Sequence, residues 1–408
     1  MASRNSDLSR RKFMATSLGC LASAGLAGLT PSLARAEDAT AALTEAKNGI
    51  IYRKLGRTGL ELPIVSMGAG ACNDPALVQA CYDSGIRLFE TAASYAYGRN
   101  EQMIGNALHQ MQARDKAIIV TKILGPPQRN RLVPERAKPT LNKMIEASLK
   151  RLKTDYIDIL FVHDVRDPEP VHDEAIKEAM SEVKKEGKVR AIGLSTHADM
   201  ANVINAAVEV EIYDVILTSV NFTMATDTDL LGAIARAGQK GVGIIAMKAL
   251  AGGARYPNPE TLREYDGSVI NSAALKWVLR NENIGTAIPG IANFDHLRAN
   301  FPIASDLEYT EEEERFLSDN SITLGMGFCR QCNKCLASCP EGVDIPNLMR
   351  THMYAAQYGN FQLARQTFDE IPRTNGLQAC TSCESCLARC ANAVDIPTKI
   401  DELKLIYA

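Results

Sequence analysis

Two stretches near the C-terminus repeat one spacing of four thiols: Cys329-Arg-Gln-Cys332-Asn-Lys-Cys335-Leu-Ala-Ser-Cys339 and Cys380-Thr-Ser-Cys383-Glu-Ser-Cys386-Leu-Ala-Arg-Cys390. Val343-Asp344-Ile345-Pro346 recurs as Val394-Asp395-Ile396-Pro397 at the same displacement, so the whole unit is an internal duplication. Paired Cys-x-x-Cys units also suit zinc, and thiols outside the cytoplasm can close into disulfides. Four thiols per unit at this interval, twice over, favour two iron-sulfur sites. Thiolates at every third position reach three corners of one cubane.

A fourth thiol follows four residues after the third in each unit. In this the units resemble the two-cluster ferredoxins, in which that cysteine serves the other cluster. The resemblance implies one 4Fe-4S cluster on Cys329, Cys332, Cys335 and Cys390, and a second on Cys380, Cys383, Cys386 and Cys339, close enough to exchange electrons. Between the copies, Leu348, Met353, Ala356, Phe361 and Phe368 follow a helical pattern interrupted at Gly359. We expect a small, mainly α-helical ferredoxin-like domain over 320–408.

At the other end, Ser9-Arg10-Arg11-Lys12-Phe13-Met14 leads into an apolar, Gly- and Ala-rich run reaching Leu29, and Ala34-Arg35-Ala36 suits a small-residue cleavage site. The segment 1–36 resembles a twin-arginine signal peptide, with a linker over 37–55. The resemblance implies the twin-arginine export machinery as a partner, cluster assembly before export, and residence in the periplasm. The alternative is an uncleaved anchor, because the run approaches bilayer-spanning length. Net charge is −3, and no basic run points to nucleic acid. Cys72 and Cys81 fall in apolar surroundings and read as core thiols.

Between these ends, short β-branched apolar runs alternate with amphipathic stretches of helical period. Eight runs stand out, at 62–67, 87–92, 117–122, 156–163, 190–195, 215–221, 242–247 and 286–289. They predict an α/β fold, a (β/α)8 TIM barrel over 56–310, with its active site at the C-terminal ends of the strands. A doubly wound dinucleotide fold is the alternative, but no run is followed by Gly-x-Gly-x-x-Gly. Tyr95, Lys122 and His163 fall at the catalytic face on three consecutive strands. Singly each reads as surface or core; together they form a candidate site.

The segments 85–95 (GIRLFETAASY), 120–122 (VTK), 155–158 (DYID) leading to His163, 187–195 (GKVRAIGLS), and Ile288-Pro289-Gly290 with Asn300 resemble the aldo/keto reductases across the whole barrel. That resemblance implies Tyr95 as general acid toward a carbonyl oxygen while a nicotinamide, NADP or NAD, delivers hydride to carbon. A free phenol has a pKa of about 10, so an adjacent Lys122 ammonium is expected to bring it down. His163 would orient the carbonyl. Glu90 stands where the family usually has the aspartate that pairs with the lysine.

For the nucleotide, the resemblance implies Ser195 and Asn221 at the carboxamide, with Leu217 and Met247 replacing a glutamine and a stacking aromatic. Met247-Lys248 followed by Ala251-Gly252-Gly253 looks like the pyrophosphate loop of ferredoxin-linked members, and Gly290 and Asn300 complete the set. The expected function is an exported oxidoreductase that interconverts a small-molecule carbonyl and an alcohol, coupled to two clusters and through them to a redox partner protein. The alternative is a non-catalytic electron-transfer subunit whose barrel is a docking scaffold.

Overall fold

A computed structural model of the chain describes residues 45–252, 265–319, 322, 327–380, 383 and 385–407. Residues 1–36, expected to form an export signal, the first part of the expected linker and Gly253 lie outside the described residues. Among the described residues, no helix is long and apolar enough to cross a membrane.

Glu45–Lys47, Ile50–Lys54 and Glu61–Pro63 form a three-stranded antiparallel sheet. Then come eight parallel strands, each hydrogen-bonded to the next in chain order: Met67–Gly68, Leu88–Glu90, Ile118–Ile123, Ile157–Val162, Val189–Thr196, Val215–Ser219, Gly243–Met247 and Ile284–Ala287. Parallel bridges from Val65 to Ala287 and from Gly68 to Gly290 bring the first against the last, so the sheet curls into the expected barrel. Helices cover its outside, and several start where an aspartate accepts a backbone N–H, as Asp173 does from Ile176 and Asp227 from Leu230. With side chains on one face and helices on the other, the strands Ile157–Val162, Val215–Ser219 and Gly243–Met247 are buried throughout.

Leu88, Val120, Ile159, Phe161, Ala191, Leu217 and Ile245 fill the barrel interior, and Leu62 of the antiparallel sheet and Leu55 of the turn between its strands pack against them. The run predicted at 62–67 therefore divides. Leu62 belongs to the floor, whose strand ends at Pro63, a residue with no N–H to continue a ladder. Gly193 is required by crowding: a Cβ there would lie 1.9 Å from the carbonyl oxygen of Val215. Asp158 is 1% exposed and anchors the framework, accepting from Ile119 N–H at 2.9 Å and from Arg190 at 3.0 Å.

Helices Ile345–His352, Phe361–Asp369 and Ile396–Tyr407 make up the C-terminal domain, joined by a π-helical stretch at Met353–Gln357. The duplicated Val-Asp-Ile-Pro starts a helix in each copy. Asp344 accepts from the N–H of Asn347, Asp395 from that of Thr398, both at 3.2 Å, and the proline sits in the first turn where its missing N–H costs nothing. Leu348, Phe368, Leu377, Val394, Ile400 and Leu403 form this domain's own core. Phe328, Met353, Tyr354 and Ala364 instead join the core of the barrel, so the two are packed as one body.

Candidate functional site

Consecutive strand ends bring the first three candidates together. Glu90 closes the strand Leu88–Glu90, Lys122 lies on Ile118–Ile123, and His163 follows Ile157–Val162. Tyr95 stands at the head of a tight turn in which Ala96 and Tyr97 have φ of 48° and 57°, a strained conformation for residues with a Cβ. Lys122, 2% exposed, directs its three donors to the Glu90 carboxylate, the Thr91 carbonyl at 2.8 Å and the Tyr95 hydroxyl at 3.2 Å. The Tyr95 hydroxyl donates in turn to Glu90 at 3.3 Å. The extra methylene of Glu90 thus leaves the acid–lysine contact in place.

The His163 ring stands edge-on to Tyr95, with centroids 6.0 Å apart. Burial, reinforced by the charge of Lys122, pushes its pKa down to about 3, so the imidazole is neutral at physiological pH. The phenol departs from expectation. Burial drives the pKa of Tyr95 above its ordinary value, and the positive charge of Lys122 is already compensated by Glu90. Burial, with Lys248 adding to it, also pushes Lys122 well below its ordinary value. Tyr95 accordingly holds its proton, the form a proton donor must have.

A cavity of about 480 Å³ opens beside Tyr95 and Glu90, within the size range of small-molecule sites. Met247, Lys248, Gly290 and Asn300 line it, as do Gly70 and Asn271. The side-chain oxygens of Asn271 and Asn300 are buried without a hydrogen-bond partner among the described residues, as expected of groups that meet a polar ligand. Lys248 and the two unpaired amide oxygens are groups that could meet the polar parts of a ligand such as a dinucleotide.

The remaining cofactor candidates sit elsewhere. Ser195 is 1% exposed and its hydroxyl accepts the N–H of Asp164 at 3.0 Å. Asn221, fully buried, caps its own turn through Thr223 and donates to the Lys248 carbonyl at 3.3 Å, shaping the loop that carries Lys248. Leu217 packs inside the barrel. Gly252 has φ of 108° and abuts the C-terminal domain, since a Cβ there would lie 2.6 Å from Gln357 Oε1.

Several residues at the mouth were not anticipated. His197 lines the large cavity and sits 3.2 Å from the Ser219 hydroxyl. Asp164 receives both arms of Arg350, at 3.0 and 3.1 Å, and also pairs with Arg166 at 2.8 Å. The Asp164 carboxyl is held well below the usual range against the cost of burial, by Arg350 first and Arg166 next. Gln366 donates to the Ser94 carbonyl at 2.5 Å, beside Tyr95. A pocket of about 40 Å³ runs from Tyr95 and His163 to Arg350, Thr367 and Glu370, so the C-terminal domain forms its outer wall.

In that domain, Cys329, Cys332, Cys335 and Cys390 line one small cavity with Ile345, Pro346 and Val394. The backbone N–H of Asn392 points at Cys390 Sγ (3.3 Å), its side-chain amide at Cys332 Sγ (3.6 Å), and the Gln331 amide at Cys329 Sγ (3.4 Å). Burial raises the pKa of the Cys380 thiol, and Cys386, Cys383 and Cys339 raise it further, so these four are electrostatic neighbours. The Arg389 N–H donates to Ser338 at 2.9 Å, tying together the residues that precede Cys390 and Cys339. Among the described residues, no group of three or more His, Cys, Asp or Glu converges tightly enough for a single metal ion. Four thiols around an apolar hollow with N–H donors to sulfur fit a cluster better than zinc.

Residues 73–261 match the Aldo/keto reductase family and residues 328–394 the 4Fe-4S dicluster domain. L-galactose dehydrogenase of Arabidopsis thaliana is 28% identical over 67% of this chain and 94% of its own. A probable voltage-gated potassium channel subunit beta of the same plant is 32% identical over 28% of this chain and 37% of its own. In architecture, aldo-keto reductase AKR11C1 from Bacillus halodurans superposes with a TM-score of 0.55 at 23% identity, covering 66% of this chain and 95% of that one.

Proposed function

We propose that this chain, which matches the Aldo/keto reductase family over residues 73–261 and the 4Fe-4S dicluster domain over 328–394, is an oxidoreductase whose barrel interconverts a small-molecule carbonyl and an alcohol. The observation that carries the reading is the Tyr95 hydroxyl, held 3.2 Å from Lys122 Nζ at the edge of the 480 Å³ cavity with a neutral His163 opposite. Tyr95 gives its proton to the carbonyl oxygen in reduction and takes it back in oxidation. Lys122 donates to the phenol oxygen and stabilises negative charge as it develops there, while Glu90 holds the lysine in place. His163 offers a second hydrogen bond to the same oxygen.

A nicotinamide nucleotide, NADP or NAD, would supply the hydride from the cavity lined by Met247, Lys248, Gly290 and Asn300. Two 4Fe-4S clusters would be held by Cys329, Cys332, Cys335 and Cys390 and by Cys380, Cys383, Cys386 and Cys339, and would supply one-electron chemistry toward a redox partner protein. Arg10 and Arg11 support passage through the twin-arginine machinery to the periplasm. Tyr95→Phe keeps the ring and removes the proton, so carbonyl reduction should fall by about two orders of magnitude or more. Unchanged turnover in a preparation shown to contain nucleotide would overturn the reading.

A second reading follows from the potassium channel subunit relative: the barrel binds a partner and the clusters alone do chemistry. It is favoured if purified protein carries clusters and neither retains nor takes up nucleotide.

A further inference from the structure

We infer that the C-terminal domain completes the nucleotide cavity and makes the nucleotide a resident group of this protein, not a cosubstrate exchanged at each turnover. The inference rests on the nicotinamide reading above. In it, the dicluster domain has a binding role besides any electron transfer.

The wall of the 480 Å³ cavity is shared between two parts of the chain. The barrel contributes Met247, Lys248 and Asn300, and the C-terminal domain contributes Tyr354, Gln357 and Asn360. The π-helical stretch Met353–Gln357 is where the domain turns toward the barrel; its wider winding carries Tyr354 and Gln357 to the same cavity. Tyr354 meets Lys248 twice over: its hydroxyl accepts from Nζ at 2.7 Å, and Nζ lies 4.2 Å from the ring centroid. Lys248 is thus held at the cavity by a residue more than a hundred positions away in sequence.

Three further contacts pin this wall in place. Arg350 makes its bidentate pair with Asp164 where both are buried, Gln366 bonds the carbonyl of Ser94, and Gly252 admits Gln357 with no room for a side chain between them. An ion pair buried to this degree opens rarely, because each separated charge would face an apolar surrounding. A ligand that leaves past Tyr354 and Gln357 needs these contacts to break together. Release on the side of the C-terminal domain is therefore coupled to displacement of a packed domain, whereas a cosubstrate needs a route that opens in every cycle.

The test uses the full chain with its clusters, purified anaerobically. After gel filtration, nicotinamide nucleotide released by acid is counted per chain, and the protein is then incubated with isotopically labelled NADP and NAD. We expect close to one nucleotide per chain and exchange slower than turnover by about tenfold or more. In Arg350→Met, and in the gentler Tyr354→Ala and Gln357→Ala, exchange should quicken by about tenfold or more. Wild-type exchange as fast as turnover would overturn the inference while leaving the nicotinamide reading intact, and that measurement needs no variant to fold. Loss of nucleotide from the wild type, with no uptake of either labelled form, would instead overturn the nicotinamide reading itself.

Discussion

Replacing Arg350 by Met should separate the stability of the C-terminal domain from that of the barrel. Arg350 and Asp164 have side chains only 6% and 5% exposed and meet through two hydrogen bonds. Removing one partner of such a pair costs about 3–5 kcal/mol, mostly because the other charge stays buried. Arg166 remains 2.8 Å from Asp164 and offsets part of that, so the lower end, about 3 kcal/mol, is expected, roughly a hundredfold in the equilibrium constant. Asp164→Asn should cost a comparable amount, and the double variant less than the sum, with a coupling of about 2 kcal/mol. The chain has one tryptophan, Trp277, on the barrel helix Gly267–Leu279, whereas cluster absorbance reports the other domain. In urea, Arg350→Met should lose cluster absorbance well before Trp277 fluorescence changes, while the wild type loses both together. Transitions that stay coincident and shift by less than about 0.5 kcal/mol would refute a role for this pair in joining the domains.

Cys339→Ser should alter the same paramagnetic centre as Cys383→Ser, not the centre altered by Cys332→Ser; electron paramagnetic resonance of the reduced proteins decides, and matching Cys332→Ser instead would show that each unit closes on its own cluster. With the pKa of the buried His163 pushed down to about 3, kcat/KM should show no inflection from this imidazole between about pH 5 and 8. An inflection near 6.5 that vanishes in His163→Asn would contradict it. Arg10→Lys with Arg11→Lys should leave the protein in the cytoplasm with its clusters assembled; fractionation that finds it outside would show the signal was misread.

The barrel and the helical domain were legible because both depend on local patterns, alternating periods in one and thiol spacing in the other. Tyr95, Lys122 and His163 could be placed together because strand order carries neighbouring strand ends to one face. Ser195 and Asn221 come to the nucleotide through the family resemblance; in the structure the Ser195 hydroxyl accepts the N–H of Asp164, and Asn221 accepts that of Thr223 and donates to the Lys248 carbonyl. Sequence position does not say which way a strand-end side chain turns. The mouth was the least legible part, because Asp164 and Arg350 are 186 residues apart and belong to different domains. One signal was present. Arg350 and His352 interrupt the helix Ile345–His352, all eight residues of which are buried, and a charge on such a helix calls for a partner.

Hydride transfer assisted by Tyr95 is tested most directly in a single turnover with nicotinamide nucleotide deuterated at the reactive carbon. A carbonyl substrate should yield alcohol with deuterium on the former carbonyl carbon, and Tyr95→Phe should form the same labelled product at about a hundredth of the rate or slower. Alcohol that carries solvent hydrogen at that carbon, or label transfer at an undiminished rate without the phenol, would contradict the assignment of the barrel as the site of carbonyl chemistry.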